Sequence, residues 1–205
     1  ELAEEVLSND SATEWTFKIR KGVEFHNGKT LTADDVIYTM NRHLGADSIS
    51  NASSLVAMVK EWKKVNDYEV KAILSSPNAD LPIALGTFPF KILQEGAEDF
   101  STAIGTGPYK VKEFKPGVRT VGARFDNYWG EGGYLDEIEH FGIGDPVARL
   151  NAFLAGDIDA MVNLPPKAIG QVESAPGKNV WSLNSGAYIN IACRKDMDMS
   201  GNHDL

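Results

Sequence analysis

The sequence has few of the residues that cross-link a fold or hold a metal ion. Cys193 is the only cysteine in 205 residues, so no disulfide can form within the chain. The four histidines are His26, His43, His140 and His203. None stands three or four positions from another, which is the spacing of a helical zinc pair. The run YINIACR around Cys193 is typical of a strand, which predicts a buried and inert thiol.

Other absences exclude whole classes of function. No apolar run in the 205 residues is long enough to cross a bilayer, and we expect no signal-peptide pattern within them. The 20 basic residues are scattered among 29 acidic ones, and the net charge of −9 argues against a nucleic-acid partner. The run GTGPY lacks the third glycine of a dinucleotide-binding loop, and no G-x-S-x-G motif occurs. We therefore expect a protein that is not an enzyme and that has neither a cofactor nor a metal site.

What is present is the composition of a soluble globular protein. Hydrophobic residues make up 42% of the chain and charged residues 24%, which is an ordinary balance. A chain of 205 residues fits one large domain or two small ones, and it can bury a sizeable core.

The stretch FKIRKGVEFHNGKTLTADDV, residues 17–36, carries strong local signals. The alternation in EWTFKIR predicts a half-buried strand that continues through GVEF, and Asn27-Gly28 predicts a tight turn. Thr32 with Asp35 three positions later resembles a capping box. The apolar stripe that follows predicts a helix that ends at Gly45.

Two segments contain acidic residues, one of them with a histidine, that could form a catalytic or metal-binding site. His26 as a base with Asp34 and Asp35 would suit a hydrolase or a metal site. Alternatively, the two aspartates stabilise the first turn of a helix by roughly 0.3–1 kcal/mol each, and the histidine packs at a strand end. Asp157 and Asp159 could similarly serve glycoside hydrolysis or bind calcium, or belong to a turn. We favour the structural interpretation in both places.

The remaining segments predict strands and helices in alternation, which favours an α/β fold. A hairpin is predicted to turn at Asn66-Asp67, and a composition break near 103–107 precedes a strand from Tyr109 to Phe114 that turns at Pro116-Gly117. A helix is expected between Asp145 as N-cap and Gly156. The runs DIDAMVN, NVWSLN and AYINIACR are predicted to be strands, and PPKAIGQVES a helix.

Several blocks together resemble one family. They are LAEEV, WTFKIRKGVEFHNGKTLTADDVIYTMNR, GTGPYKVKEFKPG, NYWG and LNAFLAGDIDAM. In this order they are similar to the periplasmic solute-binding proteins of peptide and nickel ABC importers, the bacterial extracellular solute-binding proteins of family 5. The resemblance spans nearly the whole chain, although RKDMDMSGNHDL departs from the family's usual pattern.

The resemblance implies a periplasmic-binding-protein-like fold of type II, with mixed sheets flanked by helices. Residues 1–104 would be the small subdomain inserted in lobe I, and residues 105–205 the middle part of lobe I. Because the chain opens without an initiator Met and would stop where the family crosses into lobe II, we interpret it as a piece of a longer protein. The first and last segments of lobe I and all of lobe II would be missing. The block FHNGKTLTADDV would then be framework.

The same resemblance implies capture of a di- or oligopeptide in a cleft and its delivery to the permease subunits of an ABC importer. The location would be the periplasm, or the cell surface as a lipoprotein if the host is Gram-positive. A nickel chelate, an opine or an oligosaccharide as solute, a sensor that binds without transport, and a hydrolase stay open as alternatives.

The predicted ligand contacts lie on one strand and one loop. Tyr188 and Asn190 point to the same face of the strand in NSGAYINIACR, close to the expected crossing between lobes. A tyrosine ring and an amide that both donates and accepts suit a peptide backbone. Ser53 and Ser54, in the loop after the capped helix, are weaker candidates.

Overall fold

The structure is a computed structural model, and it describes residues 1–45, 48–100 and 103–182. The chain divides into two compact units, Glu1–Gly142 and Ile143–Leu205. No helix among the described residues is both long enough and apolar enough to cross a membrane.

An antiparallel sheet of four strands forms the first half of the first unit. Its strands are β1 (Ala3–Ser8), β2 (Glu14–Ile19), β3 (Val59–Asn66) and β4 (Glu69–Leu74), in the order β1-β2-β4-β3. Burial alternates along β4, where Val70, Ala72 and Leu74 are buried and the residues between them are not. This alternation gives the sheet one face that packs against a core.

Helix α1 (Ala33–Asn41) covers that face and contacts β3 and β4. The predicted capping box of Thr32 and Asp35 is confirmed. The predicted end at Gly45 is wrong, because after Asn41 the amides of His43 and Leu44 donate three residues back instead of four. Such bonds tighten the chain into turns. The fully buried side chains of this core include Val23, Phe25, Leu31, Val56, Val70 and Leu81.

The segment GVEF does not continue β2, contrary to the prediction. Val23 and Phe25 are both fully buried, as the alternation implied, but their backbone makes only an isolated bridge between Glu24 and Thr30. The amide of Phe25 bonds to the carbonyl of Lys29 across the Asn-Gly turn, whose Gly28 has a φ of +85°. The segment is therefore a loop closed on itself, with its apolar side chains in the core.

Short helices connect the sheet to the rest of the unit. They are α2 (Ser53–Val56), α3 (Leu81–Leu85) and a 3₁₀ turn at Phe88–Phe90. The predicted hairpin between β3 and β4 is confirmed, with its turn at Asn66-Asp67.

A second antiparallel sheet completes the first unit. It contains β5 (Tyr109–Lys115), β6 (Arg119–Arg124) and β7 (Glu137–Phe141), paired in chain order. Gly117, at a φ of +71°, makes the predicted turn between β5 and β6. The predicted strand from Tyr109 to Phe114 is confirmed in β5.

The second unit is described through residue 182 and is helical. Its elements are α4 (Pro146–Ala155), a 3₁₀ turn at Pro166–Ala168 and α5 (Ile169–Glu173). The Asp145 carboxylate accepts the amide of Ala148, and Gly156 ends α4 at a φ of +85°, both as predicted. Its core is made by Leu150, Phe153, Ala168 and Val172.

Two predicted strands are not found among the described residues of this unit. DIDAMVN forms no strand, because the amide of Asp157 bonds back to Ala152 in α4 and Asn163 has a φ of +57°. The described part of NVWSLN, residues 179–182, also forms no strand. AYINIACR lies outside the described residues.

Candidate functional site

Asp35 is a buried structural node. Its side chain is fully buried, and it accepts hydrogen bonds from three segments. The amides of Thr32 and Glu95 donate to its carboxylate at 2.9 and 2.7 Å, and the ammonium of Lys29 forms an ion pair with it. Because a buried charge is tolerated only when it is paired and hydrogen-bonded, this carboxylate holds the turn, the helix start and the 93–97 segment together.

Two further contacts hold the segment 93–97 against α1. The hydroxyl of Thr39 accepts the amide of Leu93 at 2.8 Å, and the hydroxyl of Tyr38 donates to the carbonyl of Ala97 at 2.7 Å. Both side chains follow Asp35 on α1. The helix therefore uses its polar side chains to hold an irregular segment that contains a turn, in which the amide of Ala97 bonds to the carbonyl of Gln94.

Asp34 has a surface role. It forms an ion pair with Lys64 at 2.7 Å, and Lys64 also reaches Asp67 at 2.8 Å. The hydrogen bonds that the Lys64 ammonium donates to Asp34, first, and to Asp67, second, raise its pKa above the ordinary value. The two aspartates of the predicted helix start therefore differ, since one is buried framework and the other pairs with a surface lysine across β3.

His26 is committed to the backbone through both ring nitrogens. The amide of Gly105 donates to Nδ1 at 3.3 Å, so the ring proton is assigned to Nε2, which donates to the carbonyl of Gly107 at 3.0 Å. The ring also meets Phe125 edge-on at 5.1 Å. The described hydrogen bonds and ion pairs join His26 to neither Asp34 nor Asp35. The hydrolase arrangement considered from the sequence is therefore not assembled.

The blocks GTGPY and NYWG meet at this histidine. The indole of Trp129 donates to the carbonyl of Thr106 at 3.1 Å, and the guanidinium of Arg20 lies 5.1 Å from the Trp129 ring centre. The amide group of Asn127 donates to the carboxylate of Glu24 at 2.9 Å. These contacts join the two sheets of the first unit. The sequence showed the blocks but gave no signal that they contact the segment around His26, since those partners are 81 and 103 residues apart.

The two serine candidates lie on a one-turn helix and not in a loop. Ser53 is half-buried and Ser54 is exposed, both in α2. The hydroxyl of Ser50 bonds Nδ1 of His43 at 2.7 Å and accepts the amide of Ala52 at 3.2 Å, which fixes the start of α2. The His43 ring also packs against Phe90 in a tilted arrangement, with ring centres 4.7 Å apart.

The remaining candidate residues do not form a catalytic or metal-binding arrangement in the part of the chain that the structure describes. Asp157 and Asp159 are exposed on an irregular segment, which agrees with the turn interpretation. Within the described ranges no group of three or more His, Cys, Asp or Glu residues could hold a metal ion. Tyr188 and Asn190 lie outside the described residues.

The first unit contains an open groove of about 680 Å³. We call it the apolar groove. Its walls come from β1, β2, α1, α3 and the joint between the two sheets, with side chains that include Val6, Phe17, Val36, Trp62, Leu85 and Trp129.

Comparison with known proteins gives a consistent result. The family described as bacterial extracellular solute-binding proteins, family 5 Middle, matches residues 1–198. The oligopeptide-binding protein AppA of Bacillus subtilis is 35% identical over 176 residues, which are 80% of this chain and 32% of AppA. The dipeptide-binding protein of Escherichia coli is 28% identical over 89% of this chain and 39% of its own length.

Solved structures agree with the sequence matches. AppA in complex with a nonapeptide superposes with a TM-score of 0.77 at 32% identity, over 86% of this chain and 37% of AppA. AgaA of A. tumefaciens R10 in complex with agropinic acid superposes at 0.79 and 25% identity, with the same coverage of 86% and 37%. These neighbours have the type II periplasmic-binding-protein fold, which confirms the predicted fold class. This chain spans about a third of the length of the relatives it matches.

Replacing Asp35 with Ala removes a buried acceptor that serves donors from three segments. We expect the free energy of unfolding to fall by about 3 kcal/mol in urea titrations. Asp34→Ala is the matched control, and its loss should stay below about 1 kcal/mol because that ion pair is solvent-exposed. Equal effects of the two substitutions would contradict the assignment of Asp35 as the node.

Replacing His26 with Ala removes two hydrogen bonds and an aromatic contact. We expect a loss of roughly 2 kcal/mol in unfolding free energy, with solute binding by the full-length protein retained. His140→Ala on exposed β7 should change stability by less than about 0.5 kcal/mol. A catalytic His26 would give the opposite result, with activity lost and stability unchanged.

His43 gives a pH-dependent prediction. Burial first, and then the charge of Arg42, lowers the pKa of His43 below its ordinary value of 6.5. The unfolded chain therefore binds this proton more tightly, so the stability present above pH 6.5 is lost as the pH falls below that value. Urea midpoints measured from roughly pH 8 to 5.5 should fall with acidification. His43→Gln should flatten this slope and His140→Gln should keep it; an unchanged slope in His43→Gln would refute the prediction.

Proposed function

This chain belongs to family 5 of the bacterial extracellular solute-binding proteins, and from that membership we propose that it is part of a protein that captures a peptide and delivers it to the permease of an ABC importer. The observation that carries the proposal is the match to AppA, which is named as oligopeptide-binding and whose structure holds a nonapeptide. The proposed location is the periplasm, or the cell surface as a lipoprotein in a Gram-positive host.

The proposed arrangement is a clamp in which this chain supplies part of one lobe. Residues 1–104 form the inserted subdomain and residues 105–205 the middle of lobe I, while lobe II comes from polypeptide outside this chain. The boundary between 104 and 105 falls between the two sheets of the first compact unit. Because a solute is enclosed only when both lobes close on it, this chain alone binds peptide weakly or not at all.

A role without catalysis fits the side chains that the structure describes. His26 and Asp35 are engaged in framework contacts, and Asp34 is paired with a surface lysine. A hydrolase would need a base and an acid that converge on one open position. The residues that suggested a hydrolase are occupied elsewhere, so solute capture is the function we propose.

The proposed peptide contacts are Tyr188 and Asn190, with Ser53 and Ser54 in a lesser role. An asparagine amide can donate to a peptide carbonyl and accept from a peptide N–H, and a tyrosine offers a flat ring with a polar tip. The exposed position of Ser54 on α2 leaves its hydroxyl accessible to a solute.

A different polar solute is the second candidate. AgaA, in complex with agropinic acid, superposes on this chain at a TM-score of 0.79, slightly above the 0.77 of AppA. The fold therefore accommodates solutes of different chemistry, and the fold likeness alone does not select the peptide.

Calorimetry on the full-length protein tests the proposal. We expect micromolar binding of short peptides, about −8 kcal/mol, and a loss of roughly tenfold in affinity for Tyr188→Ala or Asn190→Ala, because each removes a hydrogen bond to the peptide. Ser54→Ala should cost only a few-fold. Tyr134→Ala, which alters an exposed tyrosine outside the proposed site, is the matched control and should bind normally.

Two results would contradict different parts of the proposal. If Tyr188→Ala and Asn190→Ala bind as tightly as the wild type, the proposed contacts are wrong while peptide capture stands. If mass spectrometry finds a non-peptide solute carried from expression and calorimetry detects no peptide binding, the peptide assignment is wrong while solute capture stands.

A further inference from the structure

Asn27 and Gly28 are the one Asn-Gly pair in the sequence, and both residues are exposed in the structure. The side chain of an asparagine that precedes glycine is open to deamidation, because glycine has no Cβ that would shield its amide nitrogen. At Gly28 nothing lies within 4 Å of the position that a Cβ would take. The pair therefore has the chemistry and the open surroundings of a site of covalent modification.

The reaction begins when the amide nitrogen of Gly28 attacks Cγ of Asn27. A new C–N bond forms and the Cγ–Nδ2 bond breaks. The carboxamide nitrogen takes up the proton that the Gly28 amide gives up, and it leaves as ammonia. Water then opens the resulting succinimide ring at one of its two carbonyl carbons. Opening at one carbon gives aspartate, and opening at the other gives isoaspartate, in which the main chain runs through Cβ and Cγ.

Three hydrogen bonds oppose this reaction in the folded protein. The Gly28 amide donates to the carbonyl of Phe25 at 2.8 Å, so the attacking nitrogen keeps its proton. Oδ1 of Asn27 accepts the amide of Lys29 at 3.3 Å, and Nδ2 donates to Oε1 of Gln94 at 2.8 Å. Ring closure needs the carboxamide to rotate towards the Gly28 nitrogen, and its two side-chain hydrogen bonds resist that rotation.

Gln94 is a firmly placed partner for the carboxamide. The amide of Leu93 donates to the hydroxyl of Thr39, and the amide of Glu95 donates to the buried carboxylate of Asp35. The backbone on both sides of Gln94 is thereby fixed to α1. Of the three opposing bonds, the one to Gln94 alone comes from outside the turn, so a substitution can remove it while the turn keeps its own sequence.

We propose that Asn27-Gly28 is a site of spontaneous deamidation whose reaction the native fold slows, and that the hydrogen bond from Asn27 to Gln94 is a principal part of this protection. The reaction proceeds when the turn opens locally or when the acceptor on Gln94 is removed. Because ammonia leaves, the modified protein does not revert to asparagine.

The modification reaches the contacts between the two sheets through His26, which directly precedes Asn27. The amide of His26 donates to the carbonyl of Gly105 at 2.8 Å, and its ring bonds to the carbonyl of Gly107. Isoaspartate lengthens the main chain by an atom immediately after this histidine. The turn can then no longer close with the same geometry, and the position of His26 is altered.

Incubation of the full-length protein at mildly alkaline pH tests the protection. Mass spectrometry of the peptide that contains residues 26–29 distinguishes the amide from the acid, and labelling with an isoaspartate methyltransferase detects isoaspartate. We expect the folded wild type to deamidate at position 27 at least tenfold more slowly than the same protein unfolded in guanidinium chloride, because the folded protein reacts only after local opening. Equal rates in the two states would overturn the proposal.

Two substitutions test the role of Gln94. Gln94→Ala removes the acceptor of the Asn27 carboxamide, and we expect deamidation in the folded protein to become several-fold faster than in the wild type. Gln94→Glu keeps an oxygen acceptor, so its rate should stay near that of the wild type. Gln171→Ala is the matched control, because Gln171 is exposed on α5 in the second unit.

Two results would remove Gln94 from the assignment. If Gln94→Ala deamidates as slowly as the wild type in the folded state, the turn alone provides the protection. If Gln94→Ala is also faster than the wild type in guanidinium chloride, the substitution acts through the sequence and not through a hydrogen bond of the folded protein. The comparison of folded and unfolded wild type needs no substitution, so it decides the protection even where Gln94→Ala fails to fold.

The modified protein provides a further measurement. Ion exchange separates it from the unmodified protein, because deamidation adds a negative charge. We expect the isoaspartate form to have a lower melting temperature than the unmodified protein, since the contacts of His26 with Gly105 and Gly107 are disturbed. An unchanged melting temperature would overturn the inference that the modification reaches these contacts.

Discussion

The buried carboxylate of Asp35 is the constraint on which the first unit depends. It has no access to water, so it must be neutralised and hydrogen-bonded within the protein. The donors that satisfy it come from the turn at Lys29, the helix start at Thr32 and the distant amide of Glu95. Any arrangement that separates one of these segments leaves a buried charge under-satisfied. One side chain thereby specifies where the helix begins and where a segment 60 residues later returns.

A second constraint acts between the two sheets of the first unit. It depends on the imidazole ring of His26 and not on a buried carboxylate. His26 accepts an amide with one ring nitrogen and donates to a carbonyl with the other, so it matches the backbone around Gly105 to Gly107 in both directions. Trp129 and Asn127 return from beyond the next hairpin to the same place. In the sequence, this histidine beside an Asn-Gly turn resembles a catalytic base. In the structure it connects two chain segments through hydrogen bonds.

Local sequence signals predicted most of the elements, while long-range pairing did not follow from them. The capping box at Thr32 and the two caps of α4, Asp145 and Gly156, each depend on residues within one turn of backbone. They can therefore be predicted from the sequence. GVEF and DIDAMVN have strand-like alternation but no neighbouring strand in the described residues, and a strand exists only when a partner supplies hydrogen bonds. The contacts of Asp35 and His26 depend on that same long-range geometry. For the candidate site, the sequence identified residues that could carry chemistry, but it did not predict their hydrogen-bond partners.

The division between framework and solute contacts explains why the family is evident while the solute is not. The blocks that carry the resemblance contain Asp35, His26, Trp129 and the end of α4 at Gly156, whose partners lie within the protein. Such residues are constrained by the geometry of the fold. Proteins with peptide and agropinic acid ligands share this fold with the chain. A solute is selected by side chains that point into a cleft, and the chemistry of the solute constrains these side chains. The same physical separation lets one framework serve different solutes, because a change at the cleft leaves the buried hydrogen bonds untouched.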